Sequence, residues 1–322
     1  SKGSTAFERE EDATAEAALT SFLEAHPVDE RAPRAQELLG EIATRAGRHA
    51  DAVAAWTLVT SKYPQSARAP AASLRIAAAY EGPLADLEKA LAAYEQTAAR
   101  WPHSPEAQVA RTILAQMKGK LLEAVVRRAF RTDETPSVTL RVRNAPKLRM
   151  KAYRVDPSEY VARKGGFGGV EGVEVDIVKP DHAWDVDVPD YAKYRLLERN
   201  VALPFSGPGA YIVTAAEEEL TATFLVLVSD LTTIVKSAPG QALVFVFDER
   251  TGEPAPGARV HLLDGDARGV TAADGVWTLE REAPSRVRAL VEGTGRLAGH
   301  FAFTDGAAGR STAVGYPSKG LL

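Results

Sequence analysis

AALTSFLEAHP (17–27), AAWTLVTSKYP (54–64) and AAYEQTAARWP (92–102) align with one another, and their reading decides the fold of the first third of the chain. In each, apolar residues recur three and four apart, the spacing that lines one face of an α-helix. Each closes on His, Tyr or Trp followed by proline, which cannot continue a helix because it lacks the N–H and its ring meets the preceding turn. The closing residues Pro27, Pro64 and Pro102 stand 37 and then 38 residues apart, so the pattern is a repeat. A second helix is expected after each stop: PRAQELLGEIATRAG (33–47), APAASLRIAAAYEG (69–82) and PEAQVARTILAQMKG (105–119). Each ends at a glycine suited to a helix C-terminus.

From about Ala13 to about Phe130 the chain is rich in Ala, Leu, Glu and Arg, good helix formers, and reads as helix throughout. Ala54, Ala55, Ala77, Ala78, Ala92 and Ala93 are expected to let paired helices approach closely. A period in the upper thirties with two helices per unit resembles the tetratricopeptide repeat. That resemblance implies stacked helical hairpins that dock a protein partner, and it carries over no particular peptide-binding residues. Trp56, Tyr63, Tyr80, Tyr94 and Trp101 read as core and helix-packing aromatics rather than as the lining of a ligand groove.

The whole chain has 322 residues, enough for two or three domains with cores of their own. Hydrophobic residues at 45% and charged residues at 25% match an ordinary globular composition, and the net charge of −4 offers no basic surface for nucleic acid. There is no cysteine, so disulfides, thiol catalysis and Cys-based thioester chemistry are excluded within these residues. No run of about 18 apolar residues marks a membrane span. SKGSTAFEREED (1–12) is charged where a signal peptide would be apolar, so any targeting segment is expected to lie before it.

At Thr132–Pro136 the pattern changes. SVTLRVRN (137–144) alternates apolar and polar residues as a strand does, and KLRMKAYRV (147–155), VEVDIV (173–178), LLERNVAL (196–203), GAYIVTAA (209–216) and LTATFLVLVS (220–229) follow. DPSEYVAR (156–163) reads as a short helical or turn insert. A second series comprises TTIVKS (232–237), ALVFVFDE (242–249), ARVHLLD (258–264), GVWTLE (275–280), RVRALVE (286–292) and LAGHFAFT (297–304). Pro239-Gly240, TGEPAPG (251–257), Gly265-Asp266 and Ala273-Asp274-Gly275 supply its turns. Short strands with regular turns are the pattern of antiparallel β-sandwiches. The expected fold class is therefore multi-domain, α then β: helical hairpin repeats over 1–131, one β-sandwich over 132–230 and another over 231–322.

SVTLRVRNAPKLRMKAYRVD, PGAYIVTA and FLVLVSDLTTIVKSAPGQALVFVFDERTGEPAPGARVHLLD followed by ADGVWTLE together resemble the first macroglobulin domains of bacterial alpha-2-macroglobulin-like proteins. The resemblance covers about residues 136–305, and its most specific stretch is SDLTTIVK…VFVFDERTGEPAPGARVHLL. It implies tandem macroglobulin sandwiches in a protease-inhibitor family, a periplasmic or cell-envelope setting, and an N-terminal piece of a longer protein. Members with a thioester trap proteases through Cys and Gln, chemistry that a cysteine-free chain does not carry. Thr251, Gly252, Pro254, Pro256, Gly257 and Ala258 read as turn punctuation rather than as a ligand site.

No residue pattern calls for catalysis, a cofactor or a metal, and the chain is read as non-enzymatic. His26, His49, His103, His182, His261 and His300 are scattered, with no HExxH spacing, and there is no GxSxG elbow. Asp181, Asp185, Asp187 and Asp190 lie close together, but they lack a calcium-loop pattern, and Asp185 and Asp187 alternate with Val186 and Val188 as a solvated strand face would. Glu217–Glu219 decorate a hairpin. KGGFGG (164–169) lacks the ending of a phosphate loop and reads as a flexible surface loop, with Phe167 as its candidate contact residue. The leading function is a scaffold whose helical repeats dock a protein partner and whose sandwiches join the remaining domains of a longer chain. The alternatives are an adhesion or carbohydrate-binding module, for which Trp184, Tyr191 and Trp277 would have to share one face, and a cytosolic assembly adaptor.

Overall fold

The computed structural model describes residues 2–164, 166, 168–170, 179–238, 241–263, 267–280 and 286–307. The chain divides into two compact units, Ser1–Gly119 with Ala192–Arg195, and Lys120–Tyr191 with Leu196–Leu322.

The first unit contains α1 (Lys2–Ala25), α2 (Ala32–Arg45), α3 (His49–Lys62), α4 (Ala69–Glu81), α5 (Leu87–Arg100) and α6 (Pro105–Lys118). Proline occupies the first turn of α2, α4 and α6, where its missing N–H costs no hydrogen bond. Asp86 caps α5 by accepting from the Lys89 N–H (3.0 Å), and Ser104 caps α6 by accepting from the Ala107 N–H (3.1 Å). Of the three expected terminal glycines, Gly47 alone takes a left-handed φ, +75°. The alanines that admit neighbouring helices are Ala52, Ala72, Ala77, Ala90 and Ala110, all fully buried. Ala54, Ala78 and Ala92 instead face solvent, a correction to the sequence reading.

The aromatics before the prolines stitch one repeat to the next. The Tyr63 hydroxyl donates to the Pro27 carbonyl (2.8 Å), and Trp101 Nε1 donates to the Pro64 carbonyl (3.1 Å). The Pro102 carbonyl accepts instead from Arg111 Nη2 (2.6 Å). These carbonyls sit where proline breaks the helix ladder, so an outside donor satisfies them. Tyr63→Phe removes one such bond and is expected to cost about 0.5–1 kcal/mol, read from the urea midpoint of the chain's helical signal.

The second unit is antiparallel β: β1 (Leu121–Val125), β2 (Ser137–Arg143), β3 (Lys147–Val155), β4 (His182–Asp187), β5 (Leu197–Ala202), β6 (Gly209–Glu217), β7 (Leu220–Val228), β8 (Leu231–Ala238), β9 (Gln241–Asp248), β10 (Arg259–Leu262), β11 (Arg268–Val270), β12 (Val276–Leu279), β13 (Arg286–Glu292) and β14 (Phe301–Ala307). The insert α7 (Pro157–Lys164) follows β3. Sheets ordered β1-β2-β5 and β4-β3-β6-β7 form the first sandwich, and β12-β9-β8 and β11-β10-β13-β14 the second. VEVDIV (173–178), Phe167 and the Gly265-Asp266 turn lie outside the described residues.

Three elements differ from the sequence reading. LLEAV reads as helix but forms β1, paired with β2 from Leu121↔Arg143 to Val125↔Thr139. Leu122, Ala124 and Val126 then pack on the first sandwich core with a period of two, and this tertiary gain overrides helix propensity. Arg268–Val270 forms β11 beside β10, where no strand is expected from sequence. LAGHFAFT begins as a 3-10 turn, Gly295–Leu297, and becomes strand only at Phe301.

β2 buries Val138, Leu140 and Val142 and leaves the residues between half-buried, the alternation of a strand with one face on a core. β6 breaks that rule, being buried continuously from Gly209 to Ala215. Its Tyr211, Val213 and Ala215 face the first core. Ala210 and Ile212 face the other way, into a second core with Leu225, Leu227, Tyr160 and Val161. That core also takes Leu290, Phe301 and Phe303 from the second sandwich, so the two sandwiches share apolar packing. On the inner side of β14, Ala302 joins the second sandwich's own core with Leu231, Val235, Val244 and Val260.

Thr233 is 0% exposed and Thr304 2%, and both hydroxyls are buried without a hydrogen-bond partner among the described residues. A buried unsatisfied hydroxyl is costly, and valine has nearly the same shape. Thr233→Val is therefore expected to stabilise the β unit by about 1 kcal/mol, measured by urea unfolding.

Candidate functional site

On the helical unit, an ion node joins α2 to α4. The Glu37 side chain is only 3% exposed, and its carboxylate accepts from Nη1 of Arg34 (2.8 Å), Arg68 (2.7 Å) and Arg75 (2.8 Å). Glu41 accepts from Nη1 of Arg75 (2.9 Å) and more loosely from Arg34 (3.4 Å). Burial opposes the charge on Glu37, but the hydrogen bonds from Arg34 and Arg68, with the charges of Arg75 and Arg68, hold its carboxyl below the usual range. Trp56 lies beneath, 5% exposed, its Nε1 donating to the Glu37 carbonyl (3.3 Å) and its ring 5.9 Å from the Arg75 guanidinium carbon. The arginine side chains remain 39–44% exposed, so the node is buried at its base and open at its rim. α4 presents small residues on either side of Arg75, half-buried Ala71 one turn before and exposed Ala78 one turn after.

In the β unit, the stretch Ser229-Asp230-Leu231 organises the junction. Ser229 Oγ accepts the N–H groups of Leu231 (3.1 Å) and Phe301 (3.1 Å). The Asp230 carboxylate accepts from the Thr132 N–H (2.7 Å) and hydroxyl (2.5 Å), with Arg250 Nη1 at 3.6 Å. Burial disfavours this charge, but the Thr132 bonds outweigh it and hold the carboxyl below its ordinary value. The Asp230 N–H in turn donates to His300 Nδ1 (2.8 Å), which fixes the imidazole proton on Nε2. Beside the ring lies a cleft of about 490 Å³, lined by Arg154, Asp156, Asp181, Arg259, Glu292 and His300 among others. Its acids are engaged: Asp156 accepts from the Glu159 N–H (2.9 Å), Asp181 from the Arg154 N–H (2.7 Å), and Glu292 from Ser158 (2.5 Å) and Arg259 (3.3 Å).

Burial pushes the His300 pKa down, while Asp230 and Asp248 pull it part of the way back. A protonated Nδ1 could no longer accept the Asp230 N–H. The group is therefore neutral when folded, and its contribution is complete above the unfolded value of about 6.5 and lost as pH falls towards the folded value. The urea midpoint of the β unit is expected to drop between pH 7.5 and pH 5. His300→Asn, whose side-chain oxygen takes the same hydrogen bond without titrating, should flatten that slope.

The residues singled out by sequence are dispersed. Asp185 and Asp187 stand 76% and 82% exposed on β4, opposite Arg149 and Lys147. Asp181 turns towards Arg154, and Asp190 towards Arg199 (3.5 Å). Among the described residues no three His, Asp or Glu side chains gather as metal ligands. Trp184 and Tyr191 pack on the first core and Trp277 on the second, so they do not form one aromatic platform. Trp56 and Tyr94 are core residues, and the Tyr94 hydroxyl donates to Glu81 (2.6 Å). Sequence reading passed over Glu37, Arg34, Arg68 and Arg75, which belong to unremarkable helical segments. No described helix is long and apolar enough to cross a membrane.

Residues 34–66 and 71–104 match the tetratricopeptide repeat family model. The first unit thus carries tetratricopeptide repeats, and antiparallel β-sheets follow them in the chain. Among solved structures it is similar to Escherichia coli alpha-2-macroglobulin spanning domains MG0-NIE-MG1, at 14% identity over 58% of this chain and 64% of that one, with a TM-score of 0.47. It is also similar to the same protein spanning NIE-MG1, at 14% identity over 58% and 96% of the two chains and a TM-score of 0.44. A mutant of Salmonella alpha-2-macroglobulin gives 14% identity over 58% of this chain, but only 12% of that one, with a TM-score of 0.42.

Proposed function

We propose that this chain is a non-enzymatic scaffold segment of a bacterial alpha-2-macroglobulin-like envelope protein, with the helical repeats as the part that docks a partner. The observation that carries the docking role is the α2–α4 surface, where half-exposed arginines are anchored at their base beside the small residues Ala71 and Ala78. Side chains already held in place lose little freedom on binding, and small neighbours leave room for another chain. The resemblance of residues 136–305 to macroglobulin domains supports the family reading and, with it, a periplasmic or envelope location. The shared core of the two sandwiches suits a stiff frame that carries the array and connects to further domains.

A photo-cross-linking side chain placed at Ala78 and, separately, at Ala54 of α3 tests the docking role in the full-length protein. Both positions are exposed. A discrete protein adduct from position 78, with none from position 54, is expected in envelope extracts. Equal labelling from both positions, or adducts only from a probe at exposed Val270 of β11, would overturn it.

A further inference from the structure

We propose that Arg34, Arg68 and Arg75 form a docking site for an acidic protein segment, whose carboxylates are gripped by the outward edges of guanidinium groups that Glu37 fixes from beneath. This rests on the reading of the helical array as a docking module and names the chemistry of what docks there.

The geometry has three parts. Every inward contact of the three arginines with Glu37 and Glu41 uses Nη1. A guanidinium carries five N–H donors in a planar fork, so Nε and Nη2 of each remain to donate, and none takes a partner among the described residues. Because three Nη1 atoms converge on one carboxylate, three forks are held side by side at the surface. Charge is the second part. Three guanidinium groups face the two carboxylates of Glu37 and Glu41, leaving local positive charge on a chain whose net charge is −4. Arg68 is also the residue at the N-terminus of α4, where the helix dipole favours an anion.

The third part is selectivity. Glu41, 27% exposed, stays beside Arg34 and Arg75, so a densely charged polyphosphate meets more repulsion than a single carboxylate does. The one aromatic at the node, Trp56, is buried and offers no stacking surface for bases. Ala71 and Ala78 leave space along α4 for an extended backbone, whose alternate side chains fall on one side. An acidic peptide fits these conditions better than a nucleic acid or free phosphate.

The test uses the whole chain and fluorescence anisotropy of a labelled twelve-residue peptide alternating Glu and Ser, with a Gln-Ser peptide as the neutral control. The acidic peptide is expected to bind, the neutral one not, and affinity should fall with added salt. Combining Arg34→Lys, Arg68→Lys and Arg75→Lys keeps the charges and an inward donor for the acids but removes the outward forks. It should weaken binding at least tenfold while leaving the helical melting curve nearly unchanged. Glu41→Gln removes the repelling acid and should tighten binding several-fold, an outcome that loss of folding cannot imitate. Equal affinity of wild type and the triple lysine variant, equal binding of the neutral peptide, or displacement by equimolar inorganic phosphate or an oligonucleotide would overturn the proposal. If position 78 still cross-links a protein while the acidic peptide fails, the docking module stands and its acidic ligand falls. If neither is seen, both fall.

Discussion

Phe303→Ala is expected to destabilise the β unit by about 3–5 kcal/mol and to separate the unfolding of its two sandwiches. Phe303 is 7% exposed on β14, on the side facing away from its own sandwich's core. It packs with Phe301 and Leu290 against Ile212, Leu225 and Leu227 of the first sandwich. Truncation removes apolar contact from both sandwiches and leaves a cavity that rigid sheets cannot close. For a unit of this size the melting midpoint should fall by about 10 °C. Calorimetry of the wild type should show one β transition and of the variant two. A single unshifted transition in the variant would show that the shared core does not couple them.

Asp230→Ala should have the second-largest effect, about 3 kcal/mol, because it strips two charge-assisted hydrogen bonds from Thr132 and leaves those donors without their acceptor. Arg250 loses its buried partner as well. Asp230→Asn keeps an acceptor for the Thr132 N–H and should lose about half as much. Since the folded carboxyl is held below its ordinary value, the wild-type contribution is present above about pH 4 and disappears as pH falls through the folded value. The alanine variant should therefore lose its deficit relative to wild type at low pH. Chemical denaturation at pH 7 and pH 3 measures both halves of this expectation.

The helical repeats were legible because the same local signals recur three times: apolar spacing, an aromatic or His, then proline. Even so, the hydrogen bonds from Tyr63 and Trp101 to prolines one repeat earlier connect residues 36 and 37 positions apart, and no local motif marks them. β1 was hidden because Leu121, Leu122, Glu123 and Ala124 are good helix formers, and only pairing with β2 makes them a strand. The shared core did leave a sequence trace. GAYIVTA and FLVLV are apolar runs without alternation, the mark of a strand covered on both faces. The Glu37 node was the least visible, since Arg68 and Arg75 reach it from the following repeat and each residue alone reads as an ordinary polar position on a helix.

Arg111 has a consequence for how such an array changes length over generations. Pro27 and Pro64 each offer a carbonyl to the aromatic of the following repeat, whereas the carbonyl of Pro102 is taken by Arg111 from within its own unit. A duplicated repeat inserted after α6 would bring its own aromatic to that oxygen in place of the exposed Arg111 side chain, and would also have to displace Tyr194, which packs on the core of α5 and α6. At that oxygen the array ends on a replaceable donor, while the apolar end of its core is closed by a segment from far along the chain, so lengthening it needs a new cover for Met117 and Leu114 more than a new hydrogen bond.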